Sequence, residues 1–112
     1  MKFSVGIDIV DVKDFAKRIE RTKSLKNRLF TESELKNGSK KGMEHLASRL
    51  AAKEAFKKAS GIKNLSWHDV ETKNLSSGKP IIVLNKKLKS KFNADISISH
   101  TKDTAIAVVI LY

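Results

Sequence analysis

The chain has 112 residues, 40% of them hydrophobic, with a net charge of +11 and no cysteine. That length and apolar content suit one folded domain, residues 1–112, rather than a disordered chain. The missing cysteine excludes a disulfide framework, a thiolate metal site and a cysteine nucleophile. No apolar run approaches the roughly 20 residues that cross a bilayer, so membrane insertion is not expected. The opening residues move straight into a strand-like pattern and soon meet Asp8, which is no secretion signal and predicts a cytosolic chain. The charge favours an acidic partner: nucleic acid, an anionic membrane surface, an acidic protein or a phosphorylated ligand. A lysine-rich soluble surface would produce the same balance.

Residues 3–12 predict a strand, with Phe3, Val5, Ile7 and Ile9 on one face and Ser4, Gly6, Asp8 and Val10 on the other. From Val12 to Thr22 the period turns helical, with Val12, Phe15, Ala16 and Ile19 as the apolar stripe and Lys17, Arg18 and Arg21 projecting elsewhere. Leu25 and Leu29 lead to Phe30. Thr31 then precedes Glu34 by three residues, the spacing of a capping box, so a helix starts there. Asn37 to Gly42 reads as a flexible basic loop.

Residues 43–60 are rich in Ala, Leu, Lys and Glu and predict a long helix stopped by Gly61. Residues 67–74 and 81–85 predict strands joined by a Gly78-Lys79-Pro80 turn, and Lys86 to Lys91 a short basic helix. Residues 94–100 and 104–112 predict a hairpin around Thr101-Lys102-Asp103. The last strand is apolar on both faces. Ala105, Ala107, Val109 and Leu111 line one side, and Ile106, Val108, Ile110 and Tyr112 the other. One face packs on the long helix; the other needs a cover, and a second copy of the chain would supply it.

Three residues raise questions of chemistry. Asp8 interrupts an apolar strand, where a carboxylate is costly to bury unless paired, hydrogen-bonded or metal-bound. Glu54 follows Leu50 by four and extends the stripe of Met43, Leu46, Ala47 and Leu50. Plain alternatives are a capping or lysine-paired Asp8 and an exposed Glu54. Two inward carboxylates on different elements can also hold a hard divalent ion such as Mg²⁺, which takes one or two carboxylates, waters and phosphate oxygens. Arg49, Lys53 and Lys58 would balance a phosphate-bearing ligand. His100 ends a strand at a hairpin tip, where it could equally face solvent. No Walker-type loop, GxGxxG or HExxH is present, and aromatic residues, at 6%, are too few for a nucleic-acid stacking platform.

The ordered motifs resemble the holo-acyl-carrier-protein synthases. Gly6-Ile7-Asp8-Ile9-Val10-Asp11 looks like their opening motif, and Phe30-Thr31 with Glu34 like the second. Arg49-Leu50-Ala51-Ala52-Lys53-Glu54-Ala55 with Lys58-Ala59 resembles the third and most specific one. Ser66 to Glu71, Gly78-Lys79-Pro80 and Ser97-Ile98-Ser99-His100 follow in family order. The chain departs after Gly61, where Ile62-Lys63-Asn64 replaces an expected second glycine, and at Leu50, where a larger aromatic is usual.

The resemblance implies an α+β 4′-phosphopantetheinyl transferase fold: an antiparallel sheet on a long central helix, trimeric, with active sites between subunits. It implies Mg²⁺, or Mn²⁺ in its place, held by Asp8 and Glu54. Asp8, Glu54 and Lys58 would be catalytic. Arg49, Lys53, Lys58, Gly78, Lys79, Pro80 and His100 would hold the substrate coenzyme A. Lys17, Arg18, Arg21 and Arg28 would dock an acidic apo acyl carrier protein, in fatty acid biosynthesis. The competing readings are a small basic nucleic-acid-binding protein, favoured by Lys40-Lys41 and Lys86-Lys87, and a bare oligomerisation module. Inward carboxylates would repel nucleic-acid phosphates, and an oligomerisation module explains neither Asp8 nor Glu54.

Overall fold

A computed structural model describes residues 2–38 and 41–112. Strand β1, Ser4–Asp11, runs into helix α1, Val12–Arg21, whose N-cap is Asp11. The Asp11 carboxylate accepts the Asp14 amide at 2.9 Å, satisfying a donor the helix cannot. The stripe of α1 buries Val12, Phe15 and Ile19 as its spacing predicts. Two short helices follow, α2 at Leu25–Leu29 and α3 at Glu32–Gly38. The capping box forms: the Thr31 amide donates to Glu34 Oε1 at 2.8 Å, and the Glu34 amide donates to Thr31 Oγ1 at 3.2 Å. Asn37 and Gly38 close α3 instead of opening the basic loop; Ser39 and Lys40 of that loop lie outside the described residues.

Helix α4, Met43–Ser60, ends as predicted on Gly61, whose left-handed backbone (φ 68°) lets its amide donate to Lys57 O at 3.0 Å. Strands β2, Val70–Asn74, and β3, Pro80–Leu84, form an antiparallel pair. Trp67–Asp69 is a 3₁₀ turn rather than the start of β2. The cause is tertiary: the Trp67 carbonyl turns inward to accept a buried ammonium at 3.0 Å, so it cannot join a ladder. Helix α5, Lys86–Lys89, is shorter than predicted and is capped by Asn85. Strands β4, Ala94–His100, and β5, Thr104–Leu111, form the predicted hairpin.

The main sheet has the antiparallel order β1-β5-β4, and α4 lies across one face. Register puts Gly6, Asp8 and Val10 on that face with Val109, Ala107 and Ala105. Close approach is built from small residues: Ala51, Ala52 and Ala55 of α4 are fully buried. A Cβ on Gly6 would stand 2.0 Å from the Ala55 carbonyl oxygen, so only glycine fits. Perpendicular ring pairs anchor the two ends of the core, Phe15 with Phe30 and Phe56 with Phe92.

The opposite face of the sheet is apolar and uncovered. Val5, Ile7 and Ile9 of β1 are exposed beside Ile106 and Ile110 of β5. The β4 residues beyond them on that face, Asp95, Ser97 and Ser99, are polar. The apolar area is thus a bounded stripe over two strands.

Candidate active site

Helix α4 carries the candidate site residues Arg49 and Glu54 on two flanks. Five residues of α-helix turn by about 140°, so Arg49 and Glu54 cannot face the same way. Glu54 faces a pocket of about 270 Å³ between β1, α1 and α4, lined by Asp8, Asp11, Asp14, Arg18 and Leu50. Arg49 faces a second pocket, also about 270 Å³, bounded by α3, the start of α4 and β2.

In the first pocket, Asp8 comes from the helix-facing row of β1. It accepts the Lys58 ammonium at 3.1 Å, and that ammonium also donates to the Ile7 carbonyl at 3.1 Å. Burial pushes the Glu54 carboxyl above its usual range, and the negative charge of Asp8 pushes it further; Lys57, Lys58 and Arg18 oppose the shift. A carboxyl whose charge is disfavoured by a neighbouring carboxylate marks a site that attracts a cation. Asp11 is taken by the α1 cap. Among the described residues there is no group of three or more His, Cys, Asp or Glu side chains able to hold a metal ion. A metal here would rest on two carboxylates and complete its shell with water or substrate oxygens, the habit of Mg²⁺. The donor set therefore fits that ion.

In the second pocket, Arg49 is nearly buried and donates to Asn74 Oδ1 at 2.7 Å. The Asn74 amide nitrogen in turn donates to the Gly78 carbonyl at 2.9 Å. Asn74, which carried no signal in the sequence, thus ties Arg49 to the turn holding Gly78, Lys79 and Pro80. Burial lowers the Arg49 pKa, against the pull of Glu34. His100 ends β4 opposite Ala105, on the helix-facing side, and its charge reaches His45 of this pocket.

Lys53 corrects an expectation. Its ammonium is fully buried and does not face either pocket. It bonds the Glu34 carboxylate, the Leu29 carbonyl at 2.8 Å and the Trp67 carbonyl. The second Glu34 oxygen accepts the Thr72 amide and hydroxyl. With its three donors used inside, Lys53 has nothing to offer a nucleotide directly. The signal was available: a lysine standing among Ala51, Ala52, Ala55 and Phe56 occupies a core position. Glu34, read as a capping residue and as part of the second motif, is the other half of the pair.

The basic residues of the first helices separate too. Arg18, Arg21 and Arg28 line a groove of about 330 Å³ together with Thr22 and Leu25. Lys17 is exposed but does not line it. Arg18 alone belongs to both this groove and the carboxylate pocket.

A sequence profile described as the 4′-phosphopantetheinyl transferase superfamily matches residues 4–109. The chain belongs to that superfamily, and within it to the holo-[acyl-carrier-protein] synthases. It is 44% identical over 124 residues to the holo-[acyl-carrier-protein] synthase of Geobacter metallireducens, covering 99% of this chain and 98% of that one. Against the Bacillus subtilis synthase it is 38% identical over 118 residues, covering 99% and 96%. Among solved structures, the Helicobacter pylori synthase in complex with coenzyme A has a TM-score of 0.89 at 31% identity, over 96% of this chain and 99% of that one. The Bacillus anthracis synthase in complex with CoA (3′,5′-ADP) has a TM-score of 0.83 at 35% identity, over 96% and 94%. The α+β fold, read from motif order, is thereby established. Among the described residues no helix is long and apolar enough to cross a membrane.

Proposed function

We propose that this chain moves the phosphopantetheine arm of coenzyme A onto a serine of an acidic apo acyl carrier protein, in the cytosol and in support of fatty acid synthesis. The observation that carries the reading is the pair Asp8 and Glu54 in one pocket, with Lys58 on Asp8. The serine oxygen attacks the β-phosphorus of the diphosphate, and a new phosphorus–oxygen bond forms. The bond from that phosphorus to the bridging oxygen breaks, and adenosine 3′,5′-bisphosphate leaves with the electron pair. The serine proton passes to a base, for which Glu54, its pKa raised, is one of the groups within reach. Lys58 is exposed enough to move from Asp8 to the leaving phosphate. Asp8 and Glu54 would hold Mg²⁺, which supplies charge stabilisation at the diphosphate oxygens.

The cationic half, Arg49, His100 and the Gly78-Lys79-Pro80 turn, would grip the nucleotide. Arg49 lies on the other flank of α4 from the carboxylates, so one chain does not present Arg49 and the carboxylate pair to one ligand. That separation supports a site shared between subunits. The uncovered stripe of Val5, Ile7, Ile9 and Ile110 supports the same assembly, a trimer, because such a surface favours burial. The assay is direct: incubate the protein with coenzyme A, Mg²⁺ and an apo carrier, and weigh the carrier by mass spectrometry. A gain of one phosphopantetheine group is expected; an unchanged carrier under these conditions sinks the reading. Light scattering should return the trimer mass at micromolar protein.

A further inference from the structure

Helix α2 supplies one wall of the basic groove. Its Leu25 and Arg28 line that groove together with Arg18, Arg21 and Thr22 at the end of α1. Yet α2 has only five residues, too few to hold a helix alone, because nucleation costs more than one turn of hydrogen bonds returns. Its N-cap, Ser24, has helical backbone angles and makes no side-chain capping bond. Contacts from outside α2 must therefore set where this wall stands.

Two side chains supply such contacts, and both reach carbonyls of the last turn, which a helix leaves without amide partners. Lys53 of α4 donates to the Leu29 carbonyl at 2.8 Å. The Nε2 of His68 lies 2.8 Å from the Asn27 carbonyl. A carbonyl only accepts, so Nε2 carries the proton and donates it. Lys53 also holds Glu34 and Trp67 and belongs to the core. His68, by contrast, is exposed and braces α2 from the surface. Its own footing is fixed. It stands in the 3₁₀ turn Trp67–Asp69, where the Trp67 carbonyl accepts Lys53 and the Asp69 carbonyl accepts the Asn85 amide at 3.0 Å. The Lys57 ammonium lies 5.1 Å over the Trp67 ring. His68 is thus a strut from an anchored turn to a short, weakly determined helix.

We propose that His68 is a positioning residue for the acidic carrier protein: by holding the Asn27 carbonyl it fixes α2, and with it the Arg28 and Leu25 side of the groove. The inference rests on the reading above that this groove docks the carrier. A wall free to shift would have to be ordered by the carrier as it binds, and that cost appears in the carrier's affinity. The residues assigned to coenzyme A lie on α4, on the β2–β3 turn and at the end of β4, so binding of that substrate does not depend on the strut.

The test compares wild type, His68→Phe and His68→Gln in steady-state kinetics, with apo acyl carrier protein and coenzyme A varied in turn. His68→Phe keeps a ring and removes the donor. It should raise the Michaelis constant for the carrier about two- to tenfold, the scale of one hydrogen bond, and leave kcat and the Michaelis constant for coenzyme A at wild-type values. His68→Gln, which keeps an N–H at the end of the side chain, should recover most of the loss. Hydrogen exchange gives a second readout. The Arg28 and Phe30 amides, which donate to the Ser24 and Lys26 carbonyls, should exchange faster in His68→Phe, while α4 keeps its protection. Arg28→Glu is the control for the docking reading. If it raises the carrier's Michaelis constant and His68→Phe does not, or if His68→Phe weakens coenzyme A equally, the strut proposal is overturned and the docking reading stands. If Arg28→Glu leaves the carrier's Michaelis constant unchanged, the docking reading falls, and this inference with it.

Discussion

The Lys53 ammonium rests on the Glu34 carboxylate with neither side chain reaching solvent. The pair joins α4 to α3, and through Thr72 and Trp67 to β2 and the turn before it. Removing one member leaves the other charged and unpaired in the interior, which costs on the order of 3–5 kcal/mol. Lys53→Met should therefore lower the melting temperature by about 10 °C or more, and Glu34→Gln should also destabilise. The double variant should recover part of the loss, because it strands no charge. Differential scanning calorimetry on the three variants checks this; additive losses would deny the coupling.

Asp8 and Glu54 make a different kind of contribution. Asp8→Ala and Glu54→Ala should each reduce turnover by at least about 100-fold, the scale of a lost electrostatic contact to the transition state. Both should remain folded by circular dichroism. Chelation of wild-type protein should have the same effect on turnover and be reversed by added Mg²⁺. Near-normal rates in either variant at saturating Mg²⁺ would refute the assignment.

The fold was legible because local signals agreed with the tertiary outcome. The capping box at Thr31 and Glu34, the stop at Gly61 and the alternation in β1 each act over a few residues, and each formed. What misled was long-range. Trp67 to Asp69 have strand-like composition, yet a carbonyl claimed by a lysine 14 residues earlier bends them into a turn. Lys53 illustrates the same limit in the site. Its motif points to substrate, its alanine neighbours point to the core, and the long-range contact with Glu34 decides for a structural cation. Asn74 and His45 carried no one-dimensional signal, since their neighbours Gly78, Arg49 and His100 lie on other elements or a helical turn away.

Gly6 marks where the opening strand meets the helix. The Ala55 carbonyl and the Ala59 amide nitrogen, 2.0 and 2.8 Å from a built Cβ, are backbone and cannot rotate aside. Gly6→Ala must push β1 off α4, and with it the Asp8 carboxylate. Overpacking of this sort costs about 1–3 kcal/mol, and more where backbone must move. A lower melting temperature together with lower activity is expected; an unchanged thermal midpoint would contradict the packing.

Glu54 should trade stability for function. Its folded pKa lies above the unfolded value, through burial and then Asp8. Below the unfolded pKa the carboxyl is protonated in both states and costs nothing. As pH rises through the folded pKa, the buried charge forms and stability is lost. Glu54→Gln removes that charge. Without metal the variant should match wild type at acid pH and melt higher at neutral pH, while being inactive. Added Mg²⁺ should raise the wild-type midpoint and leave that of the variant nearly unchanged. Equal melting curves at neutral pH would mean that neither burial nor Asp8 disfavours the Glu54 charge in the folded protein.

Arg18 and Arg21 sit one turn apart or less on α1 but should fail differently. Arg21 lines only the basic groove, so Arg21→Glu should raise the Michaelis constant for the carrier protein and leave that for coenzyme A close to wild type. The effect should shrink as salt rises, because rim charges act mainly on encounter. Arg18 lines the groove and the carboxylate pocket, and its charge is felt at Glu54. Arg18→Glu should therefore lower kcat as well, and salt should not erase that part. Steady-state kinetics with each substrate varied in turn separates the two. If Arg21→Glu weakens coenzyme A and carrier alike, the groove on α1 is not the docking surface.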